Sequence, residues 1–278
     1  MVIEAILKKE IKKVPRPFGI FLSGGIDSGL LAALSKPDFA VTCDTGELKY
    51  AQKIAKHLGI PLDVVTLSKI TYKGFLNDAI KIIGKPTTHF SLVPWYCLMG
   101  YCQGETMING EGSDELFGGY SRYLIMKHIF ELYKVPELKS YHPTLDFLFS
   151  DLHTKLTGTR LPFFKDMDIV AMTEYLKTLP PLIRIEKKLA KHFNVKLYQP
   201  FMSESVRKYA WDLPLRAKIR GFQTKVILRH TAEKYLPYKV VYRKDKMGLA
   251  CPVNKWMGWK VGKYDKSEYL KYQNARLK

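Results

Sequence analysis

No stretch of this sequence stays apolar for the roughly 20 residues that a membrane-spanning helix requires. Glu4 and Glu10 interrupt the lysines of the first fourteen residues, so Met1–Val14 does not read as a secretory leader. Together these absences predict a cytoplasmic protein with no membrane partner. The chain is also poor in metal-binding and disulfide patterns. Its 4 cysteines (Cys43, Cys97, Cys102, Cys251) form no CxxC pair, and its 7 histidines are scattered. Neither a disulfide framework nor a structural zinc is therefore indicated, and the thiols read as core or incidental groups. Repeats and low-complexity tracts are missing as well. The last scarcity is acidic charge: 26 Asp and Glu stand against 45 Lys and Arg, leaving a formal charge of +19. Such a field attracts polyanions, so a nucleic-acid partner and a plain solvated basic surface are both open. The lysines spread along the whole chain without a compact run, which favours the plain surface.

What is present is an ordinary globular composition, 46% hydrophobic and 13% aromatic over 278 residues, expected to fold throughout apart from the ends. Apolar residues at Val2, Ile3, Ile6, Leu7 and Ile11 repeat with helical period before Pro15 and Pro17 stop them, giving an amphipathic docking helix. Phe18–Leu22 is a short β-rich run. It ends in Ser23-Gly24-Gly25 and is followed by helical spacing over Ile26–Leu34. Phe39–Cys43 and Leu62–Leu67 are further strands, separated by a helix over Glu47–Leu58 that stops at Gly59, a favourable C-cap residue. Helical stretches near Tyr72–Ile83 and Val93–Gln103 precede a fourth strand, Thr106–Asn109. This alternation predicts a doubly wound, mostly parallel α/β sheet over residues 1–140 with helices on both faces. Beyond it, proline-punctuated helical patterns predict a helical lobe over 141–278, with a basic, fraying tail from about Lys260.

Two loops carry chemistry. Ser23-Gly24-Gly25-Ile26-Asp27-Ser28 lies where a strand gives way to a helix. There, backbone N–H groups and the helix N-terminus can cradle a phosphate chain. The alternative is a glycine turn with no ligand. The loop lacks the Gly-Lys-Ser/Thr ending of a Walker loop, which points to cleavage of ATP between its α and β phosphates. Gly110-Glu111-Gly112-Ser113-Asp114-Glu115-Leu116-Phe117-Gly118-Gly119-Tyr120 follows the fourth strand as the first loop follows the first. Loops at the carboxyl ends of neighbouring strands converge on one crevice in such a sheet. Asp27 and Asp114 are accordingly expected to share a Mg2+ on the pyrophosphate, because a phosphate-bound Mg2+ takes only one or two protein carboxylates. Ser23, Gly24, Gly25, Asp27, Ser28, Gly110, Gly112, Ser113 and Lys225 form the candidate nucleotide site.

In these motifs the chain resembles the synthetase domain of asparagine synthetases and the related β-lactam synthetases. The likeness lies in Ser23–Ser28, Asp44–Glu47 with Ala51 and Ala55, Ser91–Pro94, Gly110–Tyr120, Lys225–Arg229 and Arg243–Pro252. The resemblance implies that Lys225 and Lys246 line an adenylation site, contacting phosphates and offsetting charge as pyrophosphate leaves. Positioned cations of this kind often supply the largest catalytic contribution. It implies that Glu111 sits near the acyl group, placing the amine or taking its proton. Tyr120 either joins the site or packs beneath it.

Two departures from the family pattern bear on substrate. Relatives that use glutamine begin with a glutaminase domain whose nucleophile is an N-terminal cysteine, whereas here Met1-Val2 opens almost directly onto the synthetase part. Ammonia, another amine or a separate glutaminase subunit is then the expected nitrogen source. In the segment Ile183–Ser203, Arg184 is retained. Lys187 stands where the family has aspartate, Lys196 for glutamate, Tyr198 for arginine and Ser203 for aspartate. The expectation is an ATP- and Mg2+-dependent ligase that adenylates a carboxylate, aspartate by default, and passes it to an amine. The alternatives are the same chemistry on a nucleotide or nucleic-acid acceptor, and nucleotide binding without turnover.

Overall fold

The structure is a computed structural model. It describes residues 1–44, 46–132, 171–243, 245, 249, 253–258 and 267–277. The expected alternation is there: α1 (Val2–Ile11), β1 (Gly19–Phe21), α2 (Ile26–Ser35), β2 (Phe39–Cys43), α3 (Leu48–Leu58), β3 (Leu62–Val65), α4 (Lys69–Ile83), α5 (Leu92–Tyr101) and β4 (Thr106–Ile108). After α6 (Ser113–Phe117) and α7 (Ser121–Leu132), the described chain resumes in helix at residue 171 and passes through a π-helical turn (Glu174–Thr178) into α8 (Leu179–His192). The strands form a five-stranded sheet in the order β3-β2-β1-β4-β5, parallel throughout.

The fifth strand, β5 (Lys196–Tyr198), corrects the expectation of a purely helical second half. It pairs with β4 through Thr106↔Lys196 and Ile108↔Tyr198. Three residues led by a lysine on an edge carry no alternation strong enough to announce a strand. Their place is fixed instead by the end of α8, where Val195 N–H bonds Ala190 C=O at 2.8 Å.

Central strands β1 and β4 are buried at every residue, as expected for a parallel sheet covered on both sides. Phe21, Val41 and Met107 face one core cluster with Leu76 and Ile80 of α4, Leu98 of α5 and Leu189 of α8. Phe21 and Trp95 meet there edge to face, with centroids 5.2 Å apart. Side chains alternate along a strand, so Ile20, Ala40 and Ile108 point to the opposite face. Buried residues of α1 (Ile3, Leu7), α2 (Leu30, Leu31) and α3 (Ile54) lie outside the first cluster. Ser68 starts α4 with a capping box, its hydroxyl accepting from Thr71 N–H while Thr71 Oγ1 accepts from Ser68 N–H at 2.9 Å.

The remaining described helices are α9 (Glu204–Asp212), α10 (Leu215–Lys218), α11 (Val226–Ala232), α12 (Tyr238–Val241), α13 (Val253–Met257) and α14 (Ser267–Leu277). Helix α14 corrects the fraying tail. Tyr269 is 1% exposed with its hydroxyl 3.2 Å from that of Tyr72, and the buried Gln273 side chain accepts from Thr87 N–H and donates to Thr87 C=O. Two buried polar anchors and an aromatic ring outweigh the basic composition that suggested fraying. The chain packs as two compact units. One comprises residues 1–110, 182–200 and 231–278 and holds the whole sheet; the other comprises 111–181 and 201–230. No helix among the described residues is long and apolar enough to cross a membrane.

Candidate active site

In the first unit the strand order reverses direction between β1 and β4, and the loops at the carboxyl ends of these two strands lie at that switch point, where open α/β sheets bind ligands. The β1 loop is internally braced. Ser28 Oγ accepts from Ser23 N–H at 3.1 Å and lies 3.1 Å from Ser23 Oγ, while Ser23 Oγ accepts from Gly25 N–H at 3.3 Å. Both hydroxyls are thus spent on shaping the turn. Gly25 caps α2 in an extended conformation with no side-chain hydrogen bond across the helix N-terminus, and Asp27 occupies the first turn at 8% exposure. A helix start left without a side-chain cap is the arrangement that accepts an anionic oxygen.

Gly110, at the exit of β4, packs on this turn. A Cβ there would stand 3.1 Å from Asp27 Cβ and 3.2 Å from Ser28 N, so the start of the second motif lies against the first. Asn109, one residue earlier, donates to buried Glu186 at 3.1 Å, and Gln199 donates to the same carboxylate oxygen at 2.7 Å. This Asn-Glu-Gln bridge ties the ends of β4 and β5 together. Sequence reasoning missed it, because the charged positions it followed, the retained Arg184 and the altered Lys187 and Lys196, are exposed.

On the other side of the β1 loop, Glu47 and Arg243 form an ion pair at 2.6 Å with both side chains 5% exposed. Tyr50 lies under the Arg243 guanidinium at 4.3 Å and donates its hydroxyl to Asp245 at 2.6 Å. The Arg243–Pro252 motif is thereby held to α3 at its first and third residues. Its Lys246 lies outside the described residues.

In the second unit, Lys225 Nζ reaches Asp114 Oδ1 at 2.7 Å, with the lysine 2% and the aspartate 20% exposed. Lys225 holds a left-handed backbone, φ 53°, unusual for a residue with a Cβ, at the start of α11. Gly119 backs directly onto this pair. Gly112 precedes α6 with φ 87°, and Ser113 behind it is 1% exposed. Glu111 is partly buried and close enough to raise the pKa of Glu115. Beside it Tyr120 donates its hydroxyl to Glu115 at 2.7 Å, its ring lying 3.6 Å from the Arg122 guanidinium. Burial, then the Glu115 charge, raises the Tyr120 pKa well above the ordinary phenol value, so Tyr120 stays a donor and is no base. Arg122 in turn pairs with the fully buried Glu174, to which Tyr123 also donates at 2.6 Å.

Glu115 is the acid of this loop that the sequence did not separate from its neighbours. Burial first, and then the charges of Glu111 and Asp114, push its pKa from 4.5 up to about 8. The folded state therefore keeps a proton that the unfolded state releases. Stability from this group is full below pH 4.5, declines as pH rises towards 8, and is level above. Glu115→Gln retains an acceptor for Tyr120 but carries no charge. Its melting temperature should match that of the parent at about pH 5 and exceed it by several degrees at about pH 9. Parallel melting curves across this range would show that Glu115 does not titrate there.

Among the described residues no three His, Cys, Asp or Glu side chains are grouped to hold a metal. A Mg2+ carried by nucleotide phosphates needs only one or two protein carboxylates.

The sequence family described as asparagine synthase matches residues 10–270. Asparagine synthetase [glutamine-hydrolyzing] 1 of Bacillus subtilis is 25% identical over 303 residues, covering 87% of this chain and 47% of that protein. A putative asparagine synthetase [glutamine-hydrolyzing] 1 of Methanocaldococcus jannaschii is 26% identical, covering 88% and 47%. Asparagine synthetase B [glutamine-hydrolyzing] of Escherichia coli is 25% identical, covering 82% and 40%. The chain thus spans about half the length, or less, of these curated relatives.

Proposed function

Because the chain belongs to the asparagine synthase family, we propose that it is an ATP-dependent amide-forming ligase. In the first step a substrate carboxylate, aspartate by default, attacks the α-phosphorus of ATP, giving an acyl-adenylate and pyrophosphate. In the second an amine attacks the acyl carbon and AMP leaves. The supporting observation is the packing of Gly110, the first residue of the second motif, on Asp27 and Ser28 at the β1/β4 switch point, beside an uncapped helix N-terminus.

In this reading the backbone of Ser23–Ser28 and of Gly110, Gly112 and Ser113 holds the phosphates. Bound Mg2+ would neutralise the departing pyrophosphate, with Asp27 and Asp114 as its carboxylates. Lys225, already desolvated, is a fixed positive charge for the developing negative oxygens, and water exclusion strengthens it. Lys246 takes the corresponding role from the Arg243–Pro252 motif. Glu111 orients the amine and accepts its proton. Glu115, itself neutral, and Tyr120 brace the loop that carries Glu111 and Asp114. Ammonia or another amine is the nucleophile.

ATP-pyrophosphate exchange with Mg2+ and a panel of acids led by aspartate tests this. Exchange with one acid, lost in Lys225→Ala and Lys246→Ala, is the expected result. ATP binding with no exchange for any acid would instead favour a protein that binds nucleotide without turnover. The +19 charge favours, as a second reading, the same chemistry on an acceptor carried by a nucleotide or nucleic acid.

A further inference from the structure

A second feature of the first unit lies on the outer surface of α3 and is independent of the adenylation reading. Lys49, Lys53 and Lys56 follow one another at helical spacing on the exposed face of α3, opposite the buried Ala51, Ile54 and Ala55. Lys53, Lys56 and His57 line an open cleft of about 530 Å³ whose other wall is Pro237, Tyr238, Lys239 and Val240.

Lys53, Lys56 and Lys239 form no ion pair among the described residues, and the nearby acids are engaged elsewhere. Asp245 takes the Tyr50 hydroxyl and Lys49, Glu233 takes the Tyr242 hydroxyl, and Glu4 takes Lys8, Lys234 and Tyr235. The cleft is therefore an uncompensated positive concavity. Within it Tyr238 is 73% exposed, its ring backed by Tyr242 with centroids 4.6 Å apart. An aromatic face held rigidly from behind and open in front, bordered by three ammonium groups, matches the alternation of base and phosphate in an unpaired strand. Point-charge lysines suit phosphate oxygens, and a phenol ring stacks on any base. An acidic peptide would use the charges but leave the exposed ring without a planar partner.

We propose that this cleft binds single-stranded nucleic acid, with phosphates on Lys53, Lys56 and Lys239 and one base stacked on Tyr238. The test is fluorescence anisotropy of the full chain with a short labelled single strand across a salt series, with poly-aspartate and inorganic polyphosphate as competitors. Two variants of equal charge are compared, Lys53→Glu/Lys56→Glu/Lys239→Glu in the cleft and Lys69→Glu/Lys73→Glu/Lys81→Glu on the exposed face of α4.

Three phosphate contacts should contribute about 2 to the slope of log affinity against log salt, and the cleft variant should lose that contribution while the α4 variant keeps it. Tyr238→Ala, a change at an exposed position, should weaken the oligonucleotide about tenfold and leave polyphosphate unaffected. Equal losses in both triple variants would reduce the cleft to part of a diffuse field and overturn the proposal. Absence of binding at low salt, equal weakening of both ligands by Tyr238→Ala, or tighter binding of poly-aspartate than of the strand would overturn it too.

Discussion

Replacing Gly119 with alanine is expected to break the Lys225–Asp114 ion pair without touching either charged residue. A Cβ at position 119 would overlap Asp114 Oδ1 and Lys225 Cε and lie 2.8 Å from Asp114 Cγ. Neither side chain can simply turn away. Lys225 is 2% exposed, so its ammonium has no route to water that preserves the packing around it. Parting a buried pair typically costs about 3–5 kcal/mol. The 20% exposure of Asp114 places the change at the lower end, about 3 kcal/mol. For a chain of this size that is on the order of 10 °C in melting temperature. In the proposed mechanism, where Lys225 serves the developing negative charge, its displacement should lower exchange activity about 10²- to 10³-fold.

A double-mutant cycle separates this account from simple crowding. In an Asp114→Ala/Lys225→Ala background the space is open, and Gly119→Ala should add little. The same penalty in both backgrounds would locate the effect in the backbone and remove the ion pair from the explanation.

What the sequence reveals and what it hides divide along the same physical line. The strand-turn-helix at 18–34, the strand at 39–43 and the helix ending at Gly59 are announced by local period and turn chemistry, and the structure forms them within a residue or two. The β5 strand, the docked α14 and the π-helical turn at Glu174–Thr178 owe their existence to neighbours far away in the chain, and no local pattern encodes them. The site behaves alike. Asp27, Gly110 and Asp114 could be picked out because their loops are dense in glycine and acid. That Lys225 reaches Asp114 across the sequence, or that Glu47 meets Arg243, follows from tertiary packing and was legible only through resemblance or not at all. Glu115 is the sharpest case. Its letter is that of an ionised acid, and only its burial beside two other carboxylates makes it neutral at physiological pH.

Gly24→Ala should have the largest effect on nucleotide affinity of any single methyl group added to the chain. Gly24 has φ 72°, where a Cβ is already disfavoured. That Cβ would also meet Ala51 N at 2.7 Å, Tyr50 Cβ at 2.8 Å and Glu47 C=O at 3.1 Å. Two of these three are backbone atoms at the start of α3, so no side-chain rotation relieves the contact. Either the β1 loop lifts away from α3, disturbing the Ser23–Ser28 brace, or α3 shifts and strains the Glu47–Arg243 pair. Both routes spoil the loop that would hold the phosphates, and ATP affinity measured calorimetrically should drop by more than about tenfold, since a conformational loss of about 1.4 kcal/mol already has that effect. Gly59→Ala supplies the contrast. Gly59 has φ 67° but nothing within 4 Å of the position its Cβ would take, so the substitution introduces backbone strain alone. It should lower stability by about 1 kcal/mol and leave ATP affinity unchanged. Equal affinities for Gly24→Ala and Gly59→Ala would mean that the close approach of the β1 loop to α3 has no part in nucleotide binding.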